Sequence, residues 1–239
     1  MNDILRHHLD GLSERVDEVM AEVKPRLRGW LHLAVAPLAL VSGIVLVVLS
    51  PDATTRLGSA VFAASAVVLF TVSAIYHRGR WSPRTREVLK RFDHSNIFVL
   101  IAGSCTPFGL LLLDGADRWT MLSIVWGGAV AGVAMKVLWA GAPRWLSAPI
   151  YIALGWAPVF FFGDFVDGAM AYGDTVGITV LVLIVTGGAL YTLGGLVYGT
   201  QRPNPWPSWF GFHEVFHTFT IVAFAAHYAG VSVATYSLR

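Results

Sequence analysis

Seven stretches of roughly 20 apolar residues run through this 239-residue chain, near 30–50, 57–77, 93–113, 119–138, 145–163, 176–198 and 209–230. As a helix rising about 1.5 Å per residue, each is long enough to cross a hydrocarbon layer about 30 Å thick. Within a bilayer, only helices and closed barrels satisfy every backbone polar group, and runs of this length fit helices. The connections are short and rich in Pro, Gly, Asp and Arg, which leaves no room for a soluble domain. The expected fold is an all-α membrane protein, a seven-transmembrane helix bundle over residues 29–239, preceded by an N-terminal segment over 1–28. Charged residues make up only 13% of the chain, against about 25% in soluble domains, which supports the same class. No nucleic-acid partner is expected of it.

Residues 1–28 are polar, with Leu5, Leu9, Leu12, Val16, Val19 and Val23 recurring at helical spacing. Two readings fit: an amphipathic helix lying on the membrane or the bundle, or a solvated helical tail. This polar stretch precedes the first apolar run, so a cleavable signal peptide is not expected. A single cysteine, Cys105, excludes an internal disulfide. Pro107 and Pro158 fall inside spans, which neighbouring helices can accommodate. "GGALYTLGG" (187–195) supplies small residues for close helix packing.

Orientation follows from the basic residues flanking the spans. With alternating sides, the N-terminal segment, the 77–92 loop, the 136–144 loop and Arg202 share one side, which carries 14 of the 17 Lys and Arg. The other side has Arg56, Arg118 and Arg239 among several aspartates. The amino terminus is therefore expected in the cytoplasm and the carboxyl terminus outside, in the cell membrane.

With that topology, ionisable groups from three spans fall at one depth. "SAIYH" puts Ser73 and His77 at the cytoplasmic end of the second span. "RFDHSN" puts Asp93 in the first turn of the third, and "HEVFH" puts His213 and His217 in the first two turns of the seventh. Polar residues within membrane spans are costly and mark function. His213 and His217 stand four apart on one helical face, and His77 offers a third neutral nitrogen. Three histidines with an open position form the arrangement of a catalytic zinc site. Asp93 could hold or deprotonate a water there, and Ser73 points toward the same space.

Each residue alone has a plainer role. A histidine pair at an interface can bond backbone carbonyls, a membrane serine its own i−4 carbonyl, and an aspartate can cap a helix. Convergence is what favours a site. His32, His94 and His227 are read as structural or interfacial, His7 and His8 as tail residues. Trp30, Trp119, Trp145 and Trp209 read as interfacial anchors.

His213-Glu214-Val215-Phe216-His217 also spells H-E-x-x-H, the zinc-protease pattern. Intramembrane proteases of this type take a third ligand from an L-D-G element, and Leu113-Asp114-Gly115 is present. Topology puts Asp114 at the opposite end of its span, most of the ~30 Å core away. A carboxylate ligand must come within about 2.0–2.2 Å of zinc, so Asp114 cannot reach. Glu214, about 100° around the helix from His213, could face the site or a neighbour.

"SAIYHRGRW", "FDHSNIFVLIAGSCTPF", "GGALYTLGGLVYG" and "FHEVFHTFTIVAFAAHY" resemble the hemolysin III family of the progestin and adiponectin receptor superfamily, whose wider relatives include alkaline ceramidases. The resemblance covers about residues 25–230. It implies seven helices, an inside amino terminus and a Zn2+ ion bound by His77, His213 and His217, with Ser73 and Asp93 matching the family's Ser and Asp. Cys105 stands where Tyr is usual and Phe216 where Trp is usual. Neither is a proposed ligand, though both could reshape a cavity.

The leading expectation is a zinc-dependent hydrolase of a lipid amide or ester, with Asp93 and Ser73 as catalytic residues. Phe160, Phe161 and Phe162 are expected to line an acyl-chain site, with a membrane lipid or fatty-acyl ligand as partner. The alternative is a non-enzymatic sensor or receptor in lipid homeostasis, with zinc as a structural staple. Ceramidase-like relatives support the first by resemblance alone, and spacing does not separate the two. A pore-forming cytolysin rests only on the family's name and fits an integral seven-helix protein poorly. Assembly into a homo-oligomer is left open.

Overall fold

A computed structural model of the chain describes residues 25–139 and 141–238. The expected helix or tail before Pro25 lies outside the described residues. Eight α-helices follow in order: α1 (Trp30–Val48), α2 (Ala53–Arg78), α3 (Pro83–Leu112), α4 (Gly115–Leu138), α5 (Arg144–Gly155), α6 (Phe162–Met170), α7 (Asp174–Thr200) and α8 (Phe212–Tyr236). A 3-10 turn, Ala157–Phe161, joins α5 to α6, and these three together make the fifth of seven membrane-length helical segments. No strand occurs among the described residues.

Local chemistry sets the helix ends. Asp52 caps α2, its Oδ1 accepting from Thr55 N at 2.9 Å. Ser82 caps α3 by accepting from Thr85 N, and Pro83 takes the first helical position, where its missing N–H is no loss. The third span therefore starts ten residues before its apolar run. Asp93 lies in the third turn of α3, not the first as hydropathy suggested, and it is not a cap. The break in the fifth span falls at Pro158, which lacks the N–H that an α-helix needs in its interior. Lys136, expected in a loop, is buried in the last turn of α4 and donates to Ser147 Oγ.

α3 is the most buried of the seven segments and forms the centre of the bundle. Phe62 and Phe70 from α2, Phe98 and Leu100 from α3, and Met121 and Val125 from α4 pack the core. Consecutive helices neighbour one another, and α8 closes the ring by packing on α7 and α1. The outer faces remain apolar: Leu38, Val41 and Val48 of α1, Val130 of α4 and Val182 of α7 are exposed. In water, so much exposed apolar surface would be an aggregation liability. In hydrocarbon it is the solvated face.

One left-handed residue matters for the site. Gly29, at φ 81°, turns the chain into α1 directly against α2. A Cβ there would lie 2.7 Å from His77 Cβ, so only glycine lets α1 begin this close to the histidine.

Candidate metal centre and its cavity

His213 and His217 stand one turn apart on the first two turns of α8, and His77 closes the last turn of α2. All three are buried, and one ligand atom from each lies within 4.8 Å of the others. His77 Nε2 and His213 Nε2 are 3.1 Å apart. Two nitrogens each about 2.0–2.1 Å from a tetrahedral zinc lie roughly 3.3 Å apart, so this pair already has the needed separation. His217 Nδ1 is buried with no hydrogen-bond partner. The donor set and spacing therefore fit a metal ion.

Asp93 enters from α3, its Oδ2 3.7 Å from His77 Nε2, with its side chain 11% exposed. Ser73, one turn before His77 on α2, lies beside the Asp93 carboxylate, and its Oγ makes no hydrogen bond of ordinary geometry. All five residues that the sequence singled out are thus brought together at one end of the bundle.

Glu214 is not among them. Its carboxylate is fully buried and turned away, accepting from Arg28 Nε on one oxygen and from Gly211 N at 2.9 Å on the other. Asp114 precedes α4 with its side chain 98% exposed, paired to Arg118 Nη2 at 2.8 Å. It follows Asp93 by 21 residues, roughly 30 Å along a helix. Neither the glutamate nor the aspartate of the protease pattern can serve the histidines.

His32, read from sequence as structural or interfacial, forms a wall of the centre. Its ring stacks on His217 with centroids 3.7 Å apart, and both its nitrogens are buried without partners. A histidine two residues into an apolar helix was the only signal, and it did not indicate which side of α1 would meet α8. His94 bonds the Lys90 carbonyl one turn back through Nδ1, 2.8 Å away.

Ser73, Asp93, His213 and His217 open into a cavity of about 470 Å³, lined mainly by apolar side chains, that runs between α3, α5–α6, α7 and α8. That volume lies within the range of ligand sites, about 300–1,000 Å³. Of the three expected phenylalanines only Phe162 lines it. Phe161 packs toward the core and Phe160, 89% exposed, faces outward, because the 3-10 turn fans consecutive side chains apart. Trp156, Val159, Phe162 and Val185 line the cavity and are also exposed on the outer face, so it communicates with the bundle's lipid-facing side. Cys105 and Phe216, the two departures from the resembled pattern, both line it.

Seven membrane-length helices around an inward-facing three-histidine cluster define a polytopic membrane protein with a candidate metal centre. The family model described as haemolysin-III related matches residues 20–228, and the chain belongs to that family. It is 31% identical over 166 residues to the "Hemolysin-3 homolog" of Bacillus subtilis (strain 168), covering 70% of this chain and 71% of that one. It is 23% identical over 191 residues to "Hemolysin-3" of Bacillus cereus, covering 78% and 84%.

Proposed function

We propose that the protein is a zinc-dependent hydrolase of an amide or ester bond in a membrane lipid. The observation that carries this reading is that Asp93, Ser73 and two of the clustered histidines, His213 and His217, line one end of an acyl-sized cavity. His77, His213 and His217 would hold the ion. Zinc held there would supply a Lewis acid and lower the pKa of water toward ~7.

The chain's own residues do the rest. The apolar walls hold the acyl chain, admitted sideways past Trp156 and Val185, and exclude bulk water from the reacting end. The Asp93 carboxylate accepts the proton that water loses as its oxygen bonds the acyl carbon. It then returns that proton to the departing nitrogen or oxygen as the C–N or C–O bond breaks. Ser73 Oγ, which makes no hydrogen bond of ordinary geometry, donates to the substrate oxygen. A fatty acid and an amine or alcohol leave.

The alternative, a metal staple in a sensor, is favoured by one observation. His77 belongs to α2 and the other two histidines to α8, helices that otherwise meet mainly where Phe62 and Phe70 pack on Phe224. Asp93→Asn separates the readings, because it keeps the shape and removes the base. With N-acyl and O-acyl lipids in vesicles, hydrolysis predicts that the variant keeps its zinc and releases fatty acid about 10²–10⁴-fold more slowly. Undiminished release, or none from wild-type protein, would contradict it.

A further inference from the structure

At the other end of the cavity from the histidine cluster, three helices bring polar side chains together inside apolar surroundings. His227 of α8, Tyr191 of α7 and Ser104 of α3 all line the same cavity. The rings of Tyr191 and His227 lie edge to face with centroids 5.5 Å apart, and Ser104 sits beside Tyr191. Tyr191 Oη and Ser104 Oγ face each other buried without a hydrogen bond of ordinary geometry, and His227 Nδ1 is buried with no hydrogen-bond partner. Such orphaned groups are costly, and a ligand that pairs them recovers that cost.

The tautomer of His227 selects the ligand chemistry. Its Nε2 lies 3.2 Å from the Ile184 carbonyl oxygen, which can only accept, so Nε2 carries the proton. Nδ1 is then a lone-pair acceptor and requires a donor. The ring packs against α7 at Gly187, where a Cβ would come within 2.1 Å of His227 Cδ2. A carbonyl or carboxylate oxygen offers Nδ1 nothing. A hydroxyl can donate to Nδ1 while accepting from Tyr191 or Ser104.

The depth is set by two helices independently. His227 follows His217 by 10 residues on α8, and Ser104 follows Asp93 by 11 on α3, so both place this cluster roughly 15 Å from the metal centre. With carbon–carbon bonds of about 1.5 Å, an extended chain needs about a dozen carbons to span it.

We propose that His227, Tyr191 and Ser104 form a second polar subsite that binds a hydroxyl group carried on the acyl chain, about a dozen carbons from the end held at the histidine cluster. The subsite sets chain specificity: an oxygenated chain is preferred over a plain one of the same length. This rests on the reading of the cavity as an acyl-chain site.

The test is calorimetric binding of 12-hydroxystearic acid and of stearic acid to the full-length protein in nanodiscs. The expected result is a preference of about five- to tenfold for the hydroxylated acid, the yield of one or two net hydrogen bonds. Tyr191→Phe keeps the ring and removes the O–H. His227→Gln keeps an N–H donor for Ile184 and removes the Nδ1 acceptor. Each should reduce the preference to about twofold or less, whatever it does to the affinity for either acid alone. Equal affinity of the wild type for the two acids would overturn the subsite and leave the acyl-chain cavity standing. A preference that survives both substitutions would also overturn it. Binding of neither acid would overturn the cavity reading and the subsite together.

Discussion

Arg28 and Glu214 are joined by a buried ion pair, Arg28 Nε donating to Glu214 Oε1, while Glu214 Oε2 caps the start of α8 through Gly211 N. The acid of the H-E-x-x-H pattern thus ties the chain before α1 to the helix that carries two of the histidines. Glu214→Ala should destabilise the protein by about 3 kcal/mol or more, the cost of stranding one partner of a buried pair, and should leave metal content unchanged. Thermal unfolding in detergent beside metal analysis checks this. A stable Glu214→Gln variant with full zinc and no lipid turnover would instead return Glu214 to the chemistry.

Basic residues predict which way the bundle sits. Eleven of the seventeen Lys and Arg lie before the first span or in the 77–92 connection, and such clusters stay in the cytoplasm. Reporter fusions before Pro25 and within 79–82 should read as cytoplasmic, and a fusion after Leu238 as external. Same-side signals at the two ends would mean an even number of crossings.

Close packing of α6 on the end of α3 depends on Gly168. A Cβ there would fall 1.8 Å from the Leu112 carbonyl oxygen, a backbone atom, whereas a Cβ on Gly127 would meet nothing within 4 Å. Gly168→Ala should therefore cost about 1–3 kcal/mol or more, measured as a lowered unfolding midpoint. Gly127→Ala should be neutral or slightly stabilising. Equal effects would mean that α6 does not approach α3 this closely.

Much of this was legible in the chain because the bilayer simplifies the code. Run length alone located all seven spans, and the i, i+4 spacing of His213 and His217 with the shared depth of His77 located the cluster. Hydropathy misplaced the start of α3 because five of its first ten residues are charged. The signal was present in another form, Ser82 as cap and Pro83 at the first position. Other features depend on rotation and tilt, which span length does not fix. A one-residue step turned Glu214 toward Arg28 instead of the histidines, and the lean of α1 laid His32 on His217. The polar far end of the cavity required α3, α7 and α8 to meet, and no spacing within one helix announces that.

Three histidines forming a metal centre should hold a metal ion, so metal content is the most direct measurement. Wild-type protein purified in mild detergent should carry about one zinc per chain, as three imidazole ligands with matched spacing imply. His77→Ala, His213→Ala and His217→Ala should each lose most of it, and Asp114→Ala none. Asp93→Asn, which removes no ligand, should keep its zinc, any loss of affinity staying below the roughly 10–100-fold that changes beside the ligands cause. Full zinc retention by all three histidine variants, or wild-type protein with no bound metal, would contradict the centre described above.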